Sequence, residues 1–151
     1  MAYTLEIPSE YGYVVLGCGV LPMMMNMYMG GKVMNARKEY DVPYPNCYAT
    51  PGYHKKADEF NRVQRGHMNY SENLLGYTVV SFVGGFKHPI IIAVGGVLHS
   101  LGSLLYLTGY SDTSIDVTNA RYKKGGAIKW IGFFASFYSS VSMAGTIIGW
   151  W

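Results

Sequence analysis

Three residues set the chemical problem. Arg65, Asn69 and Glu72 lie at i, i+4 and i+7, which places a guanidinium, an amide and a carboxylate on one helix face. They open an otherwise apolar segment, where a charge costs about 2.5–3.5 kcal/mol at bilayer depth and less toward the helix ends. Two explanations fit the residue types. Glu72 can be neutralised internally by Arg65. Alternatively, the stripe grips a small zwitterion, with Arg65 on a carboxylate, Glu72 on an ammonium and Asn69 fixing orientation. A second stripe, His99, Ser103, Tyr106 and Tyr110, is spaced four, three and four. Its two phenolic hydroxyls, one turn apart, suit an anionic peptide. Tyr110 also fits an ordinary interfacial aromatic. His67 is two positions from Arg65 and faces away from that stripe, as a structural histidine or as a group serving a neighbouring chain.

Other chemistries lack their residues. His54, His67, His88 and His99 form no HExxH and pair with no cysteine at zinc spacing, so no metal site is expected. There is no Ser-His-Asp order, Walker loop or dinucleotide fingerprint. Cys18 in an apolar run and Cys47 in a polar loop read as one buried and one exposed thiol.

The elements that must carry these stripes are apolar. Uncharged runs predict four membrane spans at approximately 11–33, 65–86, 90–110 and 128–150, each near the length a hydrocarbon core of about 30 Å requires. The second is the weakest and reaches spanning length only if it begins near Arg65. Pro22 is expected to kink the first. Tyr and Trp gather at the run ends, as interfacial aromatics do. A soluble bundle is the alternative, but its helices would need polar faces that these runs lack. Lys32 to about Phe60 reads as a turn-rich loop, FKHP as a tight turn, and Ser111–Lys129 as a third connection. Of twelve Lys and Arg residues only Lys87 lies on the far side, so the positive-inside rule assigns both long connections to the cytoplasm.

Composition agrees. Among 151 residues only 14% are charged, against the quarter usual in soluble domains. The formal charge of +3 comes without a basic-aromatic recognition pattern, which argues against nucleic acid. MAYTLEIPSEYGY carries acids and no base, so no cleaved targeting segment is expected. The single domain is expected to be all-α and integral to a membrane.

At this point NARKEYDVPYP, FNRVQRGHMNYSEN and LLYLTGYS together carry a resemblance. The chain resembles the MAPEG family, membrane-associated proteins of eicosanoid and glutathione metabolism, and within it the type 3 microsomal glutathione S-transferase branch. The resemblance implies a four-transmembrane-helix bundle assembled as a homotrimer, with glutathione as co-substrate between subunits near the cytoplasmic face. It implies that Arg65, Asn69, Glu72, Tyr106 and Tyr110 contact glutathione from one subunit, and Arg37 and His67 from the next. It also implies a thiolate-stabilising arginine at the start of the fourth helix, for which Arg121 is the candidate and Lys124 the substitute. The expected activity is conjugation of glutathione to an apolar electrophile or reduction of a lipid hydroperoxide. That lipophilic second substrate would enter from the bilayer. The endoplasmic reticulum membrane is the expected location, with the mitochondrial outer membrane as the alternative. A non-catalytic scaffold or accessory subunit is the competing function. No lipid anchor is expected at the C-terminus.

Overall fold

The computed structural model describes residues 4–150. Residues 1–3 of the stretch expected to hold no targeting segment, and the C-terminal Trp151, lie outside the described residues. Helix α1 runs Tyr11–Glu39, α2 Ala57–Gly85, α3 Pro89–Tyr110, α4 Val117–Lys123 and α5 Lys129–Ile148. No strand occurs among the described residues.

Helix α1 contains a π-helical turn over Val15–Val20, immediately before Pro22. Proline lacks an N–H and its ring crowds the carbonyl four residues back, so a widened turn on its N-terminal side accommodates it within one continuous helix. The Pro22 carbonyl accepts the Tyr70 hydroxyl from α2 at 3.2 Å.

Helix α2 starts eight residues before the expected boundary at Arg65. Asp58 and Glu59 in its first turn suit the positive end of the helix dipole, and Arg62 pairs with Asp58 at 2.9 Å one turn on. The third connection is not simply a loop. Asp116 caps α4 by accepting the Thr118 amide at 2.9 Å, and Arg121 and Lys123 occupy the last turn. A left-handed Gly125 and a short 3₁₀ turn, Gly126–Ile128, then lead into α5.

Helices α1, α3 and the segment Gly126–Ile148 are long and apolar enough to cross a membrane. The expectation of four spans is met in this respect by three. Helix α2 matches α1 in length but is charged and amide-rich through Glu72, becoming apolar only from Leu74. The outer surfaces carry exposed Met23, Met27, Leu75, Ile91, Val94 and Phe134. So much apolar side chain facing outward is the surface of a protein solvated by lipid.

Glycines set the packing around α3. A Cβ on Gly96 would overlap the Gly17 carbonyl of α1, one on Gly132 the Gly95 carbonyl, and one on Gly102 the Lys129 backbone. Helices α2 and α5 are joined by the Ser81 hydroxyl donating to Ser136 at 2.9 Å and the Ser139 hydroxyl donating to the Gly84 carbonyl at 2.8 Å. Lys87, in the α2–α3 turn, donates to Thr146 on α5 at 2.7 Å. At the opposite end Val33, Ala36, Val42, Ala49, Ala57 and Phe60 form a core that folds the long first connection onto α1 and α2.

Gly132→Val should force α5 off α3 and destabilise the protein by about 1–3 kcal/mol, the usual range for overpacking. A lowered thermal midpoint in detergent micelles would show it. Gly76→Val should leave the midpoint unchanged, because a Cβ at Gly76 meets no neighbour.

Candidate functional site

The stripe predicted on α2 exists, and its members divide between two partners. Arg65 Nη1 donates to Glu72 Oε1 at 2.6 Å, with the two side chains 43% and 46% exposed. The internal neutralisation allowed by the sequence is therefore formed within one chain. Asn69 is engaged elsewhere. Its Oδ1 accepts a 2.7 Å hydrogen bond from Lys129 Nζ, across from the first residue of α5. Tyr48, from the first connection, lies near the Arg65 guanidinium.

Lys129 is the centre of the cluster. It is only 6% exposed, and its ammonium lies 4.3 Å from the Tyr106 ring centroid and 5.1 Å from that of Trp130. Both contacts are cation–π in geometry. Tyr106 stacks on Tyr110 at 5.8 Å and meets the edge of Tyr122 at 6.2 Å. The Trp130 indole donates to the Tyr122 hydroxyl at 3.3 Å. Arg121 and Arg65 both lie within electrostatic range of Tyr106. The structure thus gathers Arg65, Asn69, Glu72, Tyr106, Tyr110 and Arg121 at one end of the bundle.

Glycine governs this convergence too. Gly126 lets the α5 entry lie directly on the Tyr106 backbone, and Gly109 admits the Ala120 carbonyl of α4. Either contact would be blocked by a side chain.

Deeper in the bundle, His99 is 3% exposed and stacks on Tyr77 at 3.8 Å. Its Nδ1 faces the Lys129 carbonyl at 3.4 Å, while Nε2 is buried without a hydrogen-bond partner among the described residues. Asn69, His99, Ser103, Lys129, Trp130 and Phe133 border a cleft of about 10 Å³, the size of one water. A tripeptide cannot enter that cleft.

Other predicted residues are placed apart. Arg37 donates to the Val42 carbonyl at 3.2 Å and the Asn46 carbonyl at 2.7 Å, and its guanidinium lies 4.4 Å from the Tyr44 ring centroid. Within one chain it organises the first connection. His67 points from the stripe toward α1, where Nε2 meets Asn26 Oδ1 at 3.0 Å and Ser71 donates to the same oxygen at 2.9 Å. Lys124, the substitute for Arg121, pairs with Asp112 at 2.7 Å. Arg121 is exposed on α4. Among the described residues no group of three or more His, Cys, Asp or Glu side chains is placed to hold a metal.

The family model for MAPEG matches residues 15–149, which takes in all four long helices except the first turn of α1. The chain belongs to the MAPEG family. That family includes glutathione-dependent transferases and peroxidases, so the anion-receptive cluster described above lies within a MAPEG framework rather than an arbitrary helical bundle.

Lys129 and Tyr48 are the members of this cluster that the sequence hides. Lys129 reads there as one more residue of a basic connection. The signal available was its position, a cation directly before the apolar run WIGFF. Such a residue must find a partner or remain costly.

The Lys124 pair gives a test of the α3–α4 connection. The Lys124 ammonium, then the Ser114 hydroxyl and amide, hold the Asp112 carboxyl down from 3.8 to about 2. A lowered folded value means that this contribution is complete above the ordinary carboxylate range and lost as pH falls through about 2. In Lys124→Gln the Asp112 midpoint, followed by carboxyl NMR, should move up toward the ordinary range.

Proposed function

We propose that this protein is a glutathione-dependent membrane enzyme of the type 3 microsomal glutathione transferase kind. It activates the glutathione thiol and passes it to an apolar electrophile or a lipid hydroperoxide. The observation that carries this reading is the gathering of Arg65, Glu72, Asn69, Tyr106, Tyr110, Arg121 and a buried Lys129 at one end of an apolar MAPEG bundle. These groups supply what a zwitterionic, anionic thiol peptide requires: guanidiniums for carboxylates, a carboxylate for the ammonium and a cation for the sulfur.

In this reading α2 is the fourth span, its polar end lining the cytoplasmic mouth of the bundle. Three chains associate so that Arg37 and His67 of one subunit approach the stripe of the next. The second substrate arrives through the lipid along the exposed apolar faces of α3 and α5. The endoplasmic reticulum is the membrane, following the family resemblance.

A second reading is a non-catalytic scaffold. One observation favours it: Arg65 and Glu72 already satisfy each other.

Calorimetric titration of the purified protein with glutathione separates the two. The enzyme reading expects saturable binding below millimolar concentration and turnover of an apolar electrophile or hydroperoxide. Arg65→Ala should weaken binding by about 1.5–3 kcal/mol, the usual worth of a hydrogen bond to a charged group. No binding at millimolar glutathione would leave the scaffold standing.

A further inference from the structure

We infer that Lys129 holds the glutathione sulfur as its thiolate, leaving Arg65 and Arg121 to the peptide carboxylates. This assignment rests on the glutathione reading above and replaces the expectation that Arg121 meets the sulfur.

Three observations carry it. First, Lys129 is a buried cation that makes no ion pair among the described residues, and its ammonium has a single hydrogen-bond acceptor, Asn69 Oδ1. A buried ammonium has three donors and a large desolvation cost. The Tyr106 and Trp130 rings return part of that cost, and an anion would return the rest.

Second, a small polar cleft lies beside the ammonium. The cleft beside Lys129 is bordered by Ser103 and by His99, whose buried Nε2 has no partner among the described residues. The N-terminus of α5, a helix of 20 residues, begins at Lys129 itself and adds its dipole to the ammonium.

Third, the cations differ in wetness. Arg65 is half-exposed and Arg121 exposed, whereas Lys129 is buried. Carboxylates are strongly hydrated and keep water at an exposed guanidinium. A thiolate is larger and more weakly hydrated, so it gains most from the dry cation. Trp130 and Phe133 flank Lys129, and exposed Ile131 and Phe134 continue the same helix toward lipid, where an apolar electrophile would come from. The charged and titratable groups facing Lys129 are Arg121 from α4, His99 and Tyr106 from α3, and Tyr122 behind Trp130. None is a carboxylate.

The step is a heterolysis. The S–H bond breaks, the electron pair stays on sulfur and the proton passes to water. Lys129 remains an ammonium and forms an N–H···S contact. The cation lowers the thiol's proton affinity, as any adjacent positive charge does.

The test uses the purified full chain in detergent, with glutathione and S-methylglutathione as probes. The readouts are ultraviolet absorbance of the thiolate and calorimetric affinity. Lys129→Gln should lose about tenfold or more of the bound thiolate fraction, the equivalent of one pKa unit or more. Its affinity for S-methylglutathione, whose sulfur cannot ionise, should stay within about twofold, the equivalent of about 0.4 kcal/mol. Lys129→Arg should keep the thiolate. A thiolate that persists in Lys129→Gln, or vanishes in Arg121→Gln instead, overturns the assignment. So does a parallel loss of S-methylglutathione affinity, which would place a carboxylate at Lys129. If Lys129→Gln does not fold, the Lys129 Cε resonance of the wild type decides. It should shift with glutathione and stay unmoved by S-methylglutathione, and an equal response to both overturns the proposal. Wild-type protein that binds neither compound removes the glutathione reading itself, a result distinct from all of these.

Discussion

The close approach of α3 to its neighbours is the constraint on which everything else depends. At Gly132 against the Gly95 carbonyl, at Gly96 against the Gly17 carbonyl, and at Gly102 against the Lys129 backbone, contacts form where no side chain would fit. Inside a bilayer there is little hydrophobic reward for joining two apolar helices, so association relies on van der Waals contact and interhelical hydrogen bonds. Glycine permits both by letting backbones touch. The Gly102 contact also has a chemical result. It draws the start of α5 inward, so that Lys129 arrives beneath Tyr106 instead of snorkelling to the interface as a lysine at a helix end ordinarily does.

The polar content of the bundle follows the same economy. Ser81, Ser136 and Ser139 pair across α2 and α5, and Asn26, His67 and Ser71 join α1 to α2. Each group is satisfied by a neighbouring helix, as a low-dielectric medium demands. Among the described residues His99 Nε2 is one of a few buried polar atoms without a partner, and the Lys129 ammonium has a single acceptor. Both belong to one cleft.

Much of this was legible in the sequence, for identifiable reasons. The helices with sustained apolar runs appear where those runs predict them, because burial in lipid leaves an unbroken compositional trace. The direction of His67 follows from helical periodicity alone. The i, i+7 pairing of Arg65 with Glu72 was one of two open alternatives, since spacing shows that groups share a face but not which partner each takes. The early start of α2 was missed because Asp58, Glu59 and Arg62 look like loop residues until they are recognised as a charged first turn. Helix α4 was missed because two turns leave almost no periodic signal, although Asp116 marks its cap. Lys129 was hidden for a different reason. Its importance comes from Gly102 and Tyr106, more than twenty residues away in the chain, and no local pattern reports that contact.

The ion pair between Arg65 and Glu72 has a consequence for any zwitterion that docks on this face. For such a guest the carboxylate and guanidinium are each other's tethered competitor, present at the high effective concentration of groups on one helix. A guest must therefore exchange with a contact already made, and its apparent affinity is reduced by the fraction of chains in which the pair is closed. The swap trades one plus-minus contact for two, so the local net charge is unchanged at this part of the site. Selectivity then falls on molecules that carry both signs at the right separation. A simple carboxylate or a simple amine would strand the opposite member of the pair.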